Sequence, residues 1–144
     1  MHPFPHVYRV QARGGSQGRL VLETEGVAPL ESSAPAEFDG PGDRWSPEGL
    51  LVAAVADCFI LTFRAVARAA GIDWSALAVS VDGTLDRQER ITAFTAFDLH
   101  ATLTVAPGTD AAQAQAALQR AEERCLVSNS LKAPVHLATT LQET

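Results

Sequence analysis

The stretch S-P-E-G-L-L-V-A-A-V-A-D-C-F-I-L-T-F, residues 46–63, decides how the rest of the chain is read. Ser46 suits a helix N-cap. Pro47 suits the first helical position, where its missing N–H costs nothing, and Glu48 the positive end of the helix dipole. The residues that follow are apolar nearly all round as far as Arg64, and Gly71 supplies a stop after Ala70. This predicts a helix from Pro47 to Ala70 whose first half is buried on most sides and forms the centre of a fold. Asp57 is an unusual residue in such a helix. Beside it stands Cys58, one of only two cysteines in the chain.

Working outward, Tyr8, Val10 and Ala12 alternate with Arg9, Gln11 and Arg13, which predicts a strand. A Gly-rich turn over 14–18 and a second strand, Arg19 to Thr24, complete a hairpin. The segment from Ala28 to Trp45 reads as a long loop of a kind that is often functional. Beyond the helix, alternation over Ala78–Asp86 and Ile91–Val105 predicts a second hairpin. Pro107 and Gly108 break the chain, and Thr109 or Asp110 caps a second helix. Ala114, Leu118, Ala121 and Cys125 fall at helical spacing on one face of that helix. Val135–Leu141 follows Pro134 as a final strand. The order hairpin, buried helix, hairpin, helix, strand predicts an α+β fold with antiparallel strands wrapped around a central helix. One such small sheet covers only part of the helix, so a homodimer in which each subunit covers the other's helix is expected.

The 144 residues suit a single domain over 1–144, and 47% apolar content excludes a disordered chain. A net charge of −6 argues against a nucleic-acid partner. The N-terminus has no apolar leader. The run Leu50–Phe63, broken by Asp57 and followed by Arg64 and Arg68, reads as too short and too charged for a bilayer. A cytoplasmic protein without a membrane partner is expected. There a structural disulfide is uncommon, so the cysteines point to catalysis, redox sensing or metal binding. Two distant cysteines and scattered histidines give no recognised metal spacing. No phosphate-binding glycine motif and no nucleophile elbow is present, so no cofactor is expected. Taken singly, Cys58 also fits as a small buried hydrophobe, Cys125 as the continuation of an alanine face, and Glu48 as an ordinary first-turn acid.

Two segments together carry a resemblance. Ser46 to Phe59 resembles the N-P-E-x-L block, alanine-rich helix and reactive cysteine of the OsmC/Ohr family of thiol-dependent hydroperoxide reductases. C-L-V-S-N-S-L-K-A, from Cys125 to Ala133, resembles the family's C-P-x-S-N/K-A block around a resolving cysteine. The resemblance implies an intertwined homodimer with Cys58 as the peroxidatic thiol and Cys125 as the resolving thiol. It places Glu48 in an activating ion pair. It also implies an organic hydroperoxide as substrate and an external dithiol or lipoylated protein as reductant.

The family's arginine is out of place in this chain. The turn reads Gly14-Gly15-Ser16 where one branch has G-G-R, and the loop reads Glu37-Phe38-Asp39-Gly40 where the other has R-F-E-G. Arg44, four residues before Glu48, is the expected substitute, with Arg13 and Arg19 next. Leu126 replaces the usual proline after the second cysteine. A thiolate is the nucleophile and apolar surroundings disfavour it, so a guanidinium is expected to offset that cost. The misplaced arginine keeps a second expectation open: a weakened family member that binds a small apolar ligand or senses oxidation.

Overall fold

In the computed structural model, which describes residues 1–144, the apolar stretch forms helix α1, Pro47–Ala70. Its ends are those the sequence predicts. Ser46 Oγ accepts the Gly49 N–H at 3.0 Å. At the other end Gly71 takes φ +68°, and the Ile72 N–H closes the last turn on the Ala67 carbonyl at 3.0 Å. The structure divides into two compact units, Met1–Leu50 and Leu51–Thr144, with the boundary in the first turn of α1.

The first unit holds a three-stranded antiparallel sheet of β1 (Gln11–Arg13), β2 (Leu20–Glu23) and β3 (Leu30–Ser32) in that order. The predicted hairpin is present, but its first strand is shorter than expected. The third strand lies inside the segment expected to be loop, because three residues are too few to show a period. After β3 the Ser33 N–H donates to the Trp45 carbonyl at 2.9 Å, drawing the loop closed. Within this loop the Gly40 N–H donates to the Pro35 carbonyl at 2.9 Å. A Cβ there would stand 1.7 Å from the Ala34 carbonyl oxygen.

The second unit is built on the sheet β4 (Trp74–Gln88), β5 (Ile91–Val105) and β6 (Val135–Glu143), in the order β4-β5-β6. β4 and β5 form a long antiparallel hairpin. Its two-residue turn puts Glu89 at φ +50° and Arg90 at φ +68°, a conformation usually given to Asn-Gly. β6 departs from the all-antiparallel expectation. It pairs parallel to β5, from Phe97 opposite Val135 to Val105 opposite Glu143. A parallel neighbour needs a crossover, and α2 (Ala111–Arg124) supplies it. The Asp110 carboxylate caps α2, accepting the Ala112 and Gln113 N–H groups at 2.9 and 3.2 Å.

One face of this sheet meets both helices. Phe97, Leu99, Ala101, Leu103 and Val105 of β5 pack in one core with Val55, Phe59, Phe63, Val66 and Ala67 of α1. Ala114, Ala117, Leu118 and Ala121 of α2 close it. Gly83 leaves room for the helix, since a Cβ there would meet Val52 Cγ2 at 2.7 Å. The opposite sheet face carries exposed Ser80, Asp82, Asp98, His100, His136 and Thr140, with His100 Nε2 and Thr140 Oγ1 hydrogen-bonded at 2.9 Å.

Burial of α1 on most sides is not what the structure has. Its sealed stripe is flanked by half-buried residues, and Asp57, Leu61, Arg64 and Arg68 are exposed. One three-stranded sheet covers one side of a helix. The expectation that this segment is too short for a bilayer is also corrected: at 24 residues α1 is long and apolar enough, by length and composition, to cross one. Its use here, with one stripe sealed against a sheet, is that of a core helix. Phe59, fully buried in that stripe, sets the scale of the packing. Phe59→Ala should lower the unfolding free energy by about 3–5 kcal/mol, read from urea denaturation against the parent chain.

Candidate active site

The two cysteines reach the core from different elements. Cys58 is half-buried on the shoulder of α1, adjacent to the sealed stripe. Cys125 is fully buried as the C-cap of α2, its N–H on the Glu122 carbonyl at 3.2 Å. The predicted face of Ala114, Leu118, Ala121 and Cys125 is present, and all four have no exposed surface. The helix stops one residue short of Cys125 because the next residues turn away. The Asn129 N–H donates to the Cys125 carbonyl at 2.9 Å, Asn129 Nδ2 to the Glu123 carbonyl at 3.1 Å, and Ser130 Oγ to the Leu126 carbonyl at 2.8 Å. These bonds satisfy carbonyls that a helix end leaves open.

Both sulfurs are free thiols, and Cys58 is one of the neighbours that shift the Cys125 thiol. Burial pushes the Cys125 thiol above its ordinary range. The Ser128 hydroxyl and amide partly offset that rise, and the neighbouring Cys58 thiol adds to it. Ser128 Oγ makes no full hydrogen bond of its own. Thr62, one turn beyond Cys58, donates its hydroxyl to the Cys58 carbonyl at 2.8 Å and stands 3.9 Å from Cys58 Sγ. Its spacing from Cys58 on a helix was a signal available in the sequence.

Cys58 opens onto a cavity of about 430 Å³ lined by Ala54, Asp57, Leu61, Thr62, Leu126 and Val127. Leu61 on α1 is 53% exposed and Leu126, just beyond α2, 69% exposed, so the lining includes two leucines that reach solvent. Leu126, noted in the sequence as a missing proline, thus supplies a side chain to the cavity.

The remaining sequence-predicted residues lie in the first unit. Glu48 keeps one carboxylate oxygen, Oε2, buried without a partner. Arg44 is not on Glu48. Its Nε donates to Glu31 at 2.9 Å and its Nη1 to Asp43 at 2.9 Å. The hydrogen bond from Arg44 holds the Glu31 carboxyl below its usual range; desolvation opposes it, the charges of Arg19 and Arg44 help, and the charge of Asp43 opposes. Arg19 shares Glu31 at 3.0 Å, and Arg13 pairs with Glu23 at 2.7 Å. The structure therefore brings Cys58 and Cys125 together and commits all three candidate arginines to carboxylates other than Glu48.

The protein-family model described as OsmC-like protein matches residues 40–140, well over half of the chain. The chain belongs to the OsmC-like family. Its relatives include the uncharacterized protein YmaD of Bacillus subtilis, 29% identical over 110 residues, which cover 73% of this chain and 72% of YmaD. An OsmC-like protein of unknown function from Vibrio cholerae superposes with a TM-score of 0.85 at 17% identity, over 94% of this chain and 99% of the other. An organic hydroperoxide resistance protein OsmC from Legionella pneumophila superposes with a TM-score of 0.76 at 26% identity, over 97% and 99% of the two chains. The α+β fold read from the sequence is thus that of OsmC-like structures, with redox-related stress proteins among its relatives.

The raised Cys125 thiol links stability to pH. The unfolded thiol loses its proton near pH 8.5, while the buried one still holds it. Stability is fully present below that pH and falls as pH rises toward the folded value. Urea denaturation of the reduced protein between pH 7 and 10 should show this fall, and Cys125→Ala should flatten it.

Proposed function

We propose that residues 1–144 form one OsmC-like domain that works as a cytoplasmic homodimer and reduces organic hydroperoxides. The observation that carries this reading is the pair of free thiols, Cys58 half-buried at an apolar cavity and Cys125 fully buried next to Leu126 and Val127, which line the same cavity. Cys58 thiolate attacks the terminal peroxide oxygen. The O–O bond breaks, the alkoxide leaves and takes a proton as alcohol, and Cys58 becomes a sulfenic acid. The Cys125 sulfur then attacks the Cys58 sulfur, forming the S–S bond and releasing water. An external dithiol or lipoylated protein returns the two electrons by thiol–disulfide exchange.

The family resemblance supplies the other roles. It assigns Glu48 to an ion pair that activates Cys58, with Arg44 as the cation and Arg13 or Arg19 as the next candidates. The unpartnered Glu48 oxygen supports a missing cation, because a buried carboxylate oxygen is stabilised by a donor. A second copy of the chain is supported by the row of exposed apolar residues Phe4, Val7, Tyr8 and Val10 near the N-terminus. The free state of both cysteines suits a reducing compartment. Neither a nucleic acid nor a membrane is a partner in this reading.

A second reading is favoured by one observation: no arginine or lysine lines the Cys58 cavity. In that reading the protein is a weakened family member whose pocket binds an apolar ligand or registers oxidation. Steady-state reduction of cumene hydroperoxide with a dithiol separates the two. Turnover by the wild type, abolished in Cys58→Ser, supports the peroxidase. Its absence, with only a single slow oxidation event per chain, supports the sensor.

In the peroxidase, Cys125→Ser should consume about one equivalent of peroxide and stop with a sulfenic acid on Cys58. Dimedone trapping and mass spectrometry read that species. Arg44→Ala should slow peroxide consumption by about tenfold or more if Arg44 is the activating cation. An unchanged rate moves the role to Arg13 or Arg19.

A further inference from the structure

Ser128 is a buried polar residue whose hydroxyl the fold does not use. Only 7% of the residue is exposed, and its Oγ has no hydrogen-bond partner. The side chains beside it are committed to the backbone: Asn129 Nδ2 donates to the Glu123 carbonyl and Ser130 Oγ to the Leu126 carbonyl. Where α2 needs a small buried side chain it has alanine, at Ala114, Ala117 and Ala121. A buried hydroxyl left unpaired costs stability that an alanine would not.

The backbone around Ser128 shows which atom the hydroxyl serves. Cys125 is extended, with φ −65° and ψ 108°, and Val127 is helical, with φ −67° and ψ −50°. The Asn129 N–H closes the turn on the Cys125 carbonyl at 2.9 Å. Cys125 thus stands where an N-cap residue stands at the start of a helical turn, with Ser128 three residues on. In that arrangement the side-chain acceptor of the capping residue lies over the N–H of the residue three further along. Cys125 offers its sulfur as that acceptor. The Ser128 hydroxyl and amide both act on the sulfur and favour its charged form, whereas Cys58, the titratable group that acts on it, opposes that form.

We infer that Ser128 is a positioning residue for the second half of the reaction: its amide and hydroxyl form a two-donor cradle that holds the Cys125 sulfur as the attacking thiolate. The inference deepens the proposed peroxidase reading and rests on it. In the resolving step Cys125 gives up its proton and its sulfur attacks the Cys58 sulfenic sulfur. The S–S bond forms, the S–O bond breaks, and the departing hydroxide takes up a proton as water. Before that step Cys125 is a neutral thiol and the Ser128 hydroxyl is unpaired. Once the sulfur is anionic, the hydroxyl has its acceptor. A donor set in place beforehand needs no reorganisation when the charge develops. Ser128 thus offsets, without a cation, part of the burial that keeps Cys125 protonated.

The whole chain carrying Cys58→Ser keeps Cys125 as its one thiol, and ultraviolet thiolate absorbance titrates it from neutral to alkaline pH. The Cys58→Ser/Cys125→Ala protein supplies the baseline and removes the signal of Tyr8, the single tyrosine. Adding Ser128→Ala should lower the ionisation constant of Cys125 by about tenfold, moving the curve to higher pH, the effect of one hydrogen bond to a charged group. Ser128→Thr keeps the hydroxyl and should return the curve toward its starting place. With both cysteines present, Ser128→Ala should form the Cys58 sulfenic acid at the parent rate. It should then close the disulfide about threefold more slowly, because the scarcer thiolate is also the more basic and more nucleophilic one. Rapid quenching and mass spectrometry separate the two steps. An unmoved curve in Ser128→Ala, or the same displacement in Ser128→Thr, overturns the inference and leaves Ser128 a structural residue. A failure of the peroxidase reading looks different: no sulfenic acid forms on Cys58 in any variant, while the titration still decides whether Ser128 holds the anion.

Discussion

The packing of one helical stripe against one strand governs the second unit. Val55, Phe59, Phe63, Val66 and Ala67 lock α1 onto β5, where Phe97, Leu99, Ala101, Leu103 and Val105 face it. Fixing the stripe fixes the rotation of the helix. That rotation turns Cys58 to the edge of the core, half in hydrocarbon and half toward the cavity, and sends Asp57 and Leu61 outward. α2 packs on the same core through Leu118 and the small residues Ala114, Ala117 and Ala121, which let it approach closely. Its end therefore delivers Cys125 to the same region. The meeting of the two sulfurs is a consequence of core packing rather than of any bond between the segments that carry them.

The cavity adds an electrostatic character to that geometry. Around Cys58 there is hydrocarbon, a threonine hydroxyl and one carboxylate. In the first unit Arg13, Arg19 and Arg44 are spent on Glu23, Glu31 and Asp43, in exposed pairs of the kind that contribute little to stability. Exchanging such a pair for another costs little as well, so an arginine held this way remains available to a carboxylate that lacks a partner.

Much of this was legible in the sequence where local rules act alone. Ser46, Pro47 and Gly71 marked the ends of α1, Thr109 or Asp110 the start of α2, and alternation marked Ile91–Val105 to the residue. The spacing of Ala114, Leu118, Ala121 and Cys125 placed the second sulfur in the core. What was not legible depends on partners distant in the chain. β3 is three residues long and exists because β2 pairs with it. The parallel direction of β6 is set by the path of α2, which no residue of β6 records. The outer side of α1 read as buried because its residues are apolar, and composition does not say which side a sheet will cover. The pairing of Arg44 with Glu31 joins a strand to a loop, and proximity in sequence to Glu48 pointed elsewhere.

The parallel pairing of β6 with β5 bears on the order in which the molecule assembles. The β4–β5 hairpin closes through a two-residue turn and can form early from local contacts, whereas β6 docks only after the chain has traversed α2 and returned. Cys125 lies on that returning connection. A nascent or partly opened chain therefore has Cys58 in place on its helix before the second sulfur arrives. Until β6 zips onto the sheet, the Cys125 thiol is kinetically the later of the two.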